Sequence, residues 1–132
     1  MNKSTAWKWF SKYVRLRDAL KTTGTSDLLR CVTCGKVVKV SEAHAGHGIG
    51  GRTNGILFDE EIVNGQCIEC NYFKKGNYER YVPILVKKHG SMWYNLKMLQ
   101  AKTPTKIDLK EEAKKWRLKY KELEKEAKER GR

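Results

Sequence analysis

Cys31-Val32-Thr33-Cys34-Gly35 and Cys67-Ile68-Glu69-Cys70-Asn71 decide how this chain is read. The two Cys-x-x-Cys pairs stand 32 residues apart and account for every cysteine in the sequence. Four thiolates in two such pairs are the donor set of a tetrahedral structural Zn²⁺ site, with Cys31, Cys34, Cys67 and Cys70 as ligands. A site closed by four sulfurs has no open position for substrate, so this metal staples the fold and does not catalyse. A chain of 132 residues with 39% hydrophobic content benefits from such a staple.

The segment between the pairs is too long for a bare zinc-ribbon loop. It carries His44-Ala45-Gly46-His47-Gly48-Ile49-Gly50-Gly51-Arg52, two of the three histidines in the chain. An imidazole titrates near neutrality and can take a proton from water at pH 7. A lone histidine is more often structural, but the zinc frame around His47 favours a catalytic role. The flanking glycines are expected to let a phosphate backbone come close. Asn71 directly follows Cys70 at the start of an expected helix, where a carboxamide oxygen is a hard ligand suited to Mg²⁺. The plainer reading of Asn71 is a cap or turn residue.

Outward from this core, hydrophobic periodicity predicts a helix over 5–22, ended by Gly24. A short β-hairpin is expected over 28–40, with Gly35 permitting positive φ after the second cysteine. A strand near His44, a glycine-rich loop and a return strand at Ile56-Leu57-Phe58 should follow. Helices are expected at 68–75, at 78–89 with Pro83 as a kink and Gly90 as its end, and from a capping Ser91 to about residue 100. Beyond Thr103-Pro104-Thr105, the residues Leu109, Ala113, Trp116, Tyr120, Leu123 and Ala127 recur at heptad spacing. That stripe fits a helix packing on its own core or a dimer contact. The expected segments are an N-terminal helix (1–27), a zinc-bound core with following helices (28–101) and a C-terminal basic amphipathic helix (102–132).

The formal net charge is +13. Four thiolates around one Zn²⁺ would lower it by about 2, which still leaves a strongly basic chain. Such an excess points to a polyanionic partner, most simply nucleic acid. No segment reaches the ~20 apolar residues of a membrane span. Met1-Asn2-Lys3-Ser4 opens no apolar run of the signal-peptide kind, so a cytoplasmic protein is expected, where paired cysteines favour metal over disulfides.

The runs around Cys31–Gly35, Glu42–His47, Leu57–Glu60 and Gln66–Asn71 closely resemble the phage NinG (Rap) recombination proteins, as does Trp9–Asp18. The frame of two cysteine pairs ending in Cys-Asn is also similar to phage endonuclease VII. The resemblance implies an α+β chain with a zinc-stapled ββα-metal (HNH) core and flanking helices. It further implies a catalytic Mg²⁺ or Mn²⁺ and branched DNA, such as a four-way junction, as substrate. Carried over by position, His47 is the general base and Asn71 a ligand of the catalytic ion. Two departures stand out. Many HNH nucleases place an acidic metal ligand immediately before the base, where this chain has Gly46; His44 is the first candidate replacement and Asp59 the second. The family's central asparagine falls on Ile62, with Asn64 two places on as the candidate that orients the His47 loop. Arg52, Lys74 and Lys75 are candidate phosphate contacts. A two-fold homodimer would supply the paired cuts that resolve a junction. The alternatives are an HNH nicking enzyme on duplex DNA and a zinc-dependent DNA-binding protein without catalysis.

Overall fold

A computed structural model describes residues 3–51 and 53–131. In chain order it contains α1 (Lys3–Thr22), β1 (Leu28–Arg30), β2 (Val37–Lys39), a 3₁₀ turn (Val40–Glu42), β3 (His44–His47) and β4 (Val63–Gln66). A π-helical turn (Glu69–Phe73), α2 (Tyr78–His89), α3 (Ser91–Lys102) and α4 (Leu109–Glu129) follow. The architecture is mixed α+β, with two separate antiparallel hairpins, β1–β2 and β3–β4.

Helix α1 buries Ala6, Phe10 and Val14, spaced four apart along one face. Phe10 and Val14 pack with Ala45 of β3, Val63 of β4 and Trp116 of α4. The Phe10 and Trp116 rings meet at 4.6 Å and 65°. The heptad stripe of α4 therefore packs on α1 within the same chain, burying Ala113, Trp116 and Ala127. Asp108 starts α4 by accepting the Lys110 and Glu111 amides. Near the other end of α1, buried Asp18 accepts the Gly65 N–H at 2.7 Å and pairs with Arg17 at 2.8 Å. Arg17 also donates to the Glu60 and Val63 carbonyls. These bonds fix the helix to β4.

The first hairpin pairs Leu29 with Val38 and turns through the first cysteine pair. Gly35 adopts φ +78°, and the Cys31 N–H bonds the Lys36 carbonyl at 2.8 Å. The second hairpin differs from expectation. Its return strand is Val63–Gln66, not Ile56–Phe58. Residues 53–62 instead run through successive turns, with Ile56, Asp59 and Ile62 donating to Thr53, Ile56 and Asp59. Consecutive Ile56 and Leu57 are both buried, which a one-sided strand with period two does not allow. Ser91 is the first helical residue of α3, and the residue before it is Gly90 at φ +94°. The glycine turn, rather than a serine cap, separates α2 from α3.

Candidate metal and catalytic centre

The two hairpins and the π-helical turn bring the four cysteines together. Their sulfurs all lie within 4.8 Å of one another, with Cys34 and Cys67 at 3.7 Å. A tetrahedron with Zn–S bonds of about 2.3 Å has edges of about 3.8 Å, so the donor set and its spacing fit the ion. The cluster is placed to hold a metal ion. Polar groups approach three of the sulfurs: the Thr33 hydroxyl lies 3.2 Å from Cys31 Sγ, the Cys70 N–H 3.4 Å from Cys67 Sγ, and Asn77 Nδ2 3.4 Å from Cys70 Sγ. Burial raises the Cys31 thiol, yet the Thr33 hydroxyl and neighbouring amides bring it down to about 6. Burial pushes Cys67 up to about 12.

Beside this cluster opens a cleft of about 660 Å³, lined by His44, His47, Asn71, Trp7, Arg15 and Lys75 among others. β3 contributes both histidines. The Asn71 amide reaches it from the π-helical turn, whose Asn71 N–H bonds the Cys67 carbonyl at 3.0 Å. Asn71 Nδ2 and His44 Nδ1 stand 2.9 Å apart. His47 is buried, stacks on Trp7 at 5.2 Å and 16°, and holds the Leu57 carbonyl at 3.1 Å through Nε2. A carbonyl only accepts, so the proton sits on Nε2 and Nδ1 is the basic nitrogen. The turns that replaced the expected strand leave the Leu57 carbonyl outside any ladder, available to this imidazole.

Gly46 has a steric explanation. A Cβ there would overlap Gln66 Oε1 and come within 3.0 Å of Asn71 Oδ1. Gln66 sits across the ladder from His44 and is fully buried. Its Nε2 donates to Thr33 Oγ1 at 3.2 Å and the Gly76 carbonyl at 3.1 Å. Among the described residues its Oε1 has no hydrogen-bond partner. The space an acidic side chain would enter is thus filled by a carboxamide. Gly48 is similar, since a Cβ there would strike Leu85 and Tyr81 of α2. Both glycines make room for the chain's own side chains, and not for the phosphate backbone that the sequence suggested.

The remaining sequence candidates fall in different places. Asn64 does not line the cleft; its Nδ2 donates to the Tyr81 hydroxyl, and its Oδ1 accepts from Arg17. Tyr81, missed by sequence reasoning, is fully buried and donates toward the Gly46 carbonyl at 2.7 Å or the Ile62 carbonyl at 3.0 Å. Burial raises its pKa above the ordinary tyrosine value, which keeps the phenol a donor. Ile62 is a core residue beside Ile49 and Ile56. Asp59 is engaged by Lys97 at 2.8 Å and is not part of the cleft wall. Lys74 is exposed, 3.8 Å from Glu69, while Lys75 lines the cleft. Arg52 lies outside the described residues. Trp7 and Gln66 carried no local signal, since their roles depend on which element packs over β3.

Among the described residues, no helix is long and apolar enough to cross a membrane. Residues 2–130 match the family model described as the bacteriophage lambda NinG protein. No curated protein and no solved structure matches the chain.

Proposed function

The chain belongs to the bacteriophage lambda NinG family, and from that premise we propose that it is a metal-dependent DNA endonuclease with a zinc-stapled HNH (ββα-metal) core. The observation that carries this reading is His47, whose Nε2 is committed to the Leu57 carbonyl at 3.1 Å in the same cleft as the His44–Asn71 pair.

His47 Nδ1 takes the proton of the attacking water, while the Leu57 carbonyl and the Trp7 ring hold the imidazole in register. His44 and Asn71, the latter through its Oδ1, would hold a divalent ion. Such an ion, when bound, stabilises negative charge on the phosphate and on the departing 3′ oxygen. An imidazole beside a carboxamide favours Mn²⁺ over Mg²⁺, because nitrogen donors suit the softer ion. Water adds to phosphorus, the bond to the 3′ oxygen breaks, and the products carry a 5′ phosphate and a 3′ hydroxyl. A zinc ion held by Cys31, Cys34, Cys67 and Cys70 would tie the first hairpin turn to the base of the π-helical turn that carries Asn71. Lys75 and Arg15 contribute positive charge to the cleft wall.

The substrate is branched recombination DNA, which the family supports, and the working unit is a homodimer. Met92, Leu96 and Leu99 support the dimer: they are 78%, 57% and 62% exposed and share one face of α3. The reading is tested by comparing cleavage of four-way junctions, flaps and linear duplex with Mn²⁺ or Mg²⁺, for the wild type and His47→Ala. We expect junction cleavage to fall about 10²-fold or more in the variant, with DNA binding retained. Cleavage confined to linear duplex would replace this reading with a nicking enzyme. A second reading, zinc-dependent DNA binding without catalysis, is favoured by Ile62, a core residue where active HNH sites usually carry an asparagine. Wild-type binding with no cleavage under either metal would establish it.

A further inference from the structure

We propose that Tyr72 and Phe73 form a stacking platform for a base whose face is exposed at a DNA branch point. The inference rests on the DNA reading above and specifies how the chain would tell a branch from continuous duplex.

Tyr72 and Phe73 are 67% and 70% exposed, with their rings 5.2 Å apart and nearly perpendicular at 86°. They are not loose surface groups. They end the π-helical turn that begins beside Cys67 and Cys70. The Lys74 N–H bonds the Glu69 carbonyl at 2.8 Å, and the Gly76 N–H bonds the Cys70 carbonyl at 2.9 Å. Buried Gln66 holds the Gly76 carbonyl from below. Wide turns of this kind cluster at functional sites. Here the turn projects two consecutive aromatics outward while Asn71, one residue earlier, faces His44.

The pair also sits at the right place. Tyr72 lines the cleft that holds His44, His47 and Asn71. Three residues on, Lys75 lines the same cleft from a backbone at φ +50°, a conformation uncommon for a lysine. Among the described residues, no carboxylate lines this cleft, whereas Arg15 and Lys75 do. The environment therefore suits a phosphate chain running past the aromatic pair. Exposed rings next to backbone-tracking cations are the usual means of holding unpaired bases, since every base has a π face. In continuous duplex those faces are covered by neighbouring pairs. They become accessible where stacking is interrupted, as at a junction or flap.

The test uses the full, zinc-loaded chain without added divalent metal, so that binding is read before any cutting. The probes are a four-way junction and a linear duplex of equal length, each carrying 2-aminopurine, at the branch or at mid-duplex. The proteins are the wild type, a Tyr72→Ala/Phe73→Ala variant and a Tyr72→Leu/Phe73→Leu variant, which keeps apolar bulk and removes the π face. Both variants should lose about tenfold or more in junction affinity. Duplex affinity and its dependence on salt should stay unchanged, and the branch-specific change in 2-aminopurine emission should disappear. Zinc content and melting temperature should match the wild type, since both side chains are exposed. A wild-type ratio of junction to duplex affinity in the Ala variant would overturn the inference, as would full retention by the Leu variant. A changed oligomeric mass by light scattering would assign the pair to a contact between copies instead. A wild-type chain that binds neither DNA would sink the nuclease reading as well, so the two failures are distinguishable.

Discussion

Gly46→Ala probes the buried packing of Gln66 against β3. The added Cβ would overlap Gln66 Oε1, so Gln66 must move. That carboxamide is fully buried and held by two hydrogen bonds, to Thr33 and to the Gly76 carbonyl. Overpacking a filled interior by one methyl costs about 1–3 kcal/mol. Weakening two buried hydrogen bonds adds about 0.5–1.5 kcal/mol each. Partial relief by side-chain adjustment leaves an expected cost of about 2–4 kcal/mol. With an unfolding entropy of about 2.1 cal/mol/K per residue, that cost lowers the melting temperature by roughly 7–14 °C. Thermal denaturation followed by circular dichroism on the zinc-loaded chain measures it. A double-mutant cycle supplies the sharper test. In a Gln66→Ala background the space is open, and Gly46→Ala should cost less than about 1 kcal/mol. Equal cost in both backgrounds, or a single variant melting within about 2 °C of wild type, would refute the assignment of that space to Gln66. The same geometry predicts that Gly46→Asp, which installs the acid usual in HNH sites, lowers metal-dependent cleavage rather than raising it.

Metal analysis should find one zinc per chain, and chelation or Cys70→Ser should abolish the cooperative melt; an unchanged melt after complete zinc removal would contradict the staple. His44→Ala should weaken Mn²⁺ binding about tenfold or more by calorimetry or electron paramagnetic resonance while zinc content stays constant, and unaltered Mn²⁺ affinity would separate His44 from the Asn71 site. Leu96→Glu should convert a dimer to a monomer in light scattering, because a carboxylate enters the middle of the exposed α3 stripe; a wild type that is already monomeric at tens of micromolar would remove that interface.

How much was legible in the sequence depended on the distance over which each signal acts. The cysteine pairs were readable because Cys31 with Cys34, and Cys67 with Cys70, are local motifs with one common explanation. Helix α1 and the buried face of α4 were readable from periodicity. The partner of that face was not, since a heptad stripe specifies which side is buried and is silent on whether α1 or a second copy covers it. Ile56-Leu57-Phe58 read as a strand because three apolar residues in a row fit either a strand or a series of turns. The turns win here because Ile56 and Leu57 both enter the core. Gln66 was unreadable for a different reason. A glutamine before a cysteine carries no pattern, and only the ladder pairing His44 with Gln66 brings it beside Gly46.

That pairing also explains why the cleft and the cysteine cluster form one structural unit. Cys31 Sγ lies 3.2 Å from the Thr33 hydroxyl, the hydroxyl accepts from Gln66 Nε2, and Gln66 Oε1 abuts Gly46 between the two histidines. On the other side, Cys70 is followed at once by Asn71, whose amide meets His44. Two paths of covalent bonds, hydrogen bonds and packing contacts thus run from sulfur to the same strand. An acidic residue at position 46 would break the first path by displacing Gln66. The glycine is therefore coupled to the glutamine, and the loss of a carboxylate before His47 is matched by a buried carboxamide that arrives from the opposite strand. On this argument the departure at Gly46 marks a different packing of the interior behind His44 and Asn71, and it supplies no evidence by itself that the chemistry has been lost.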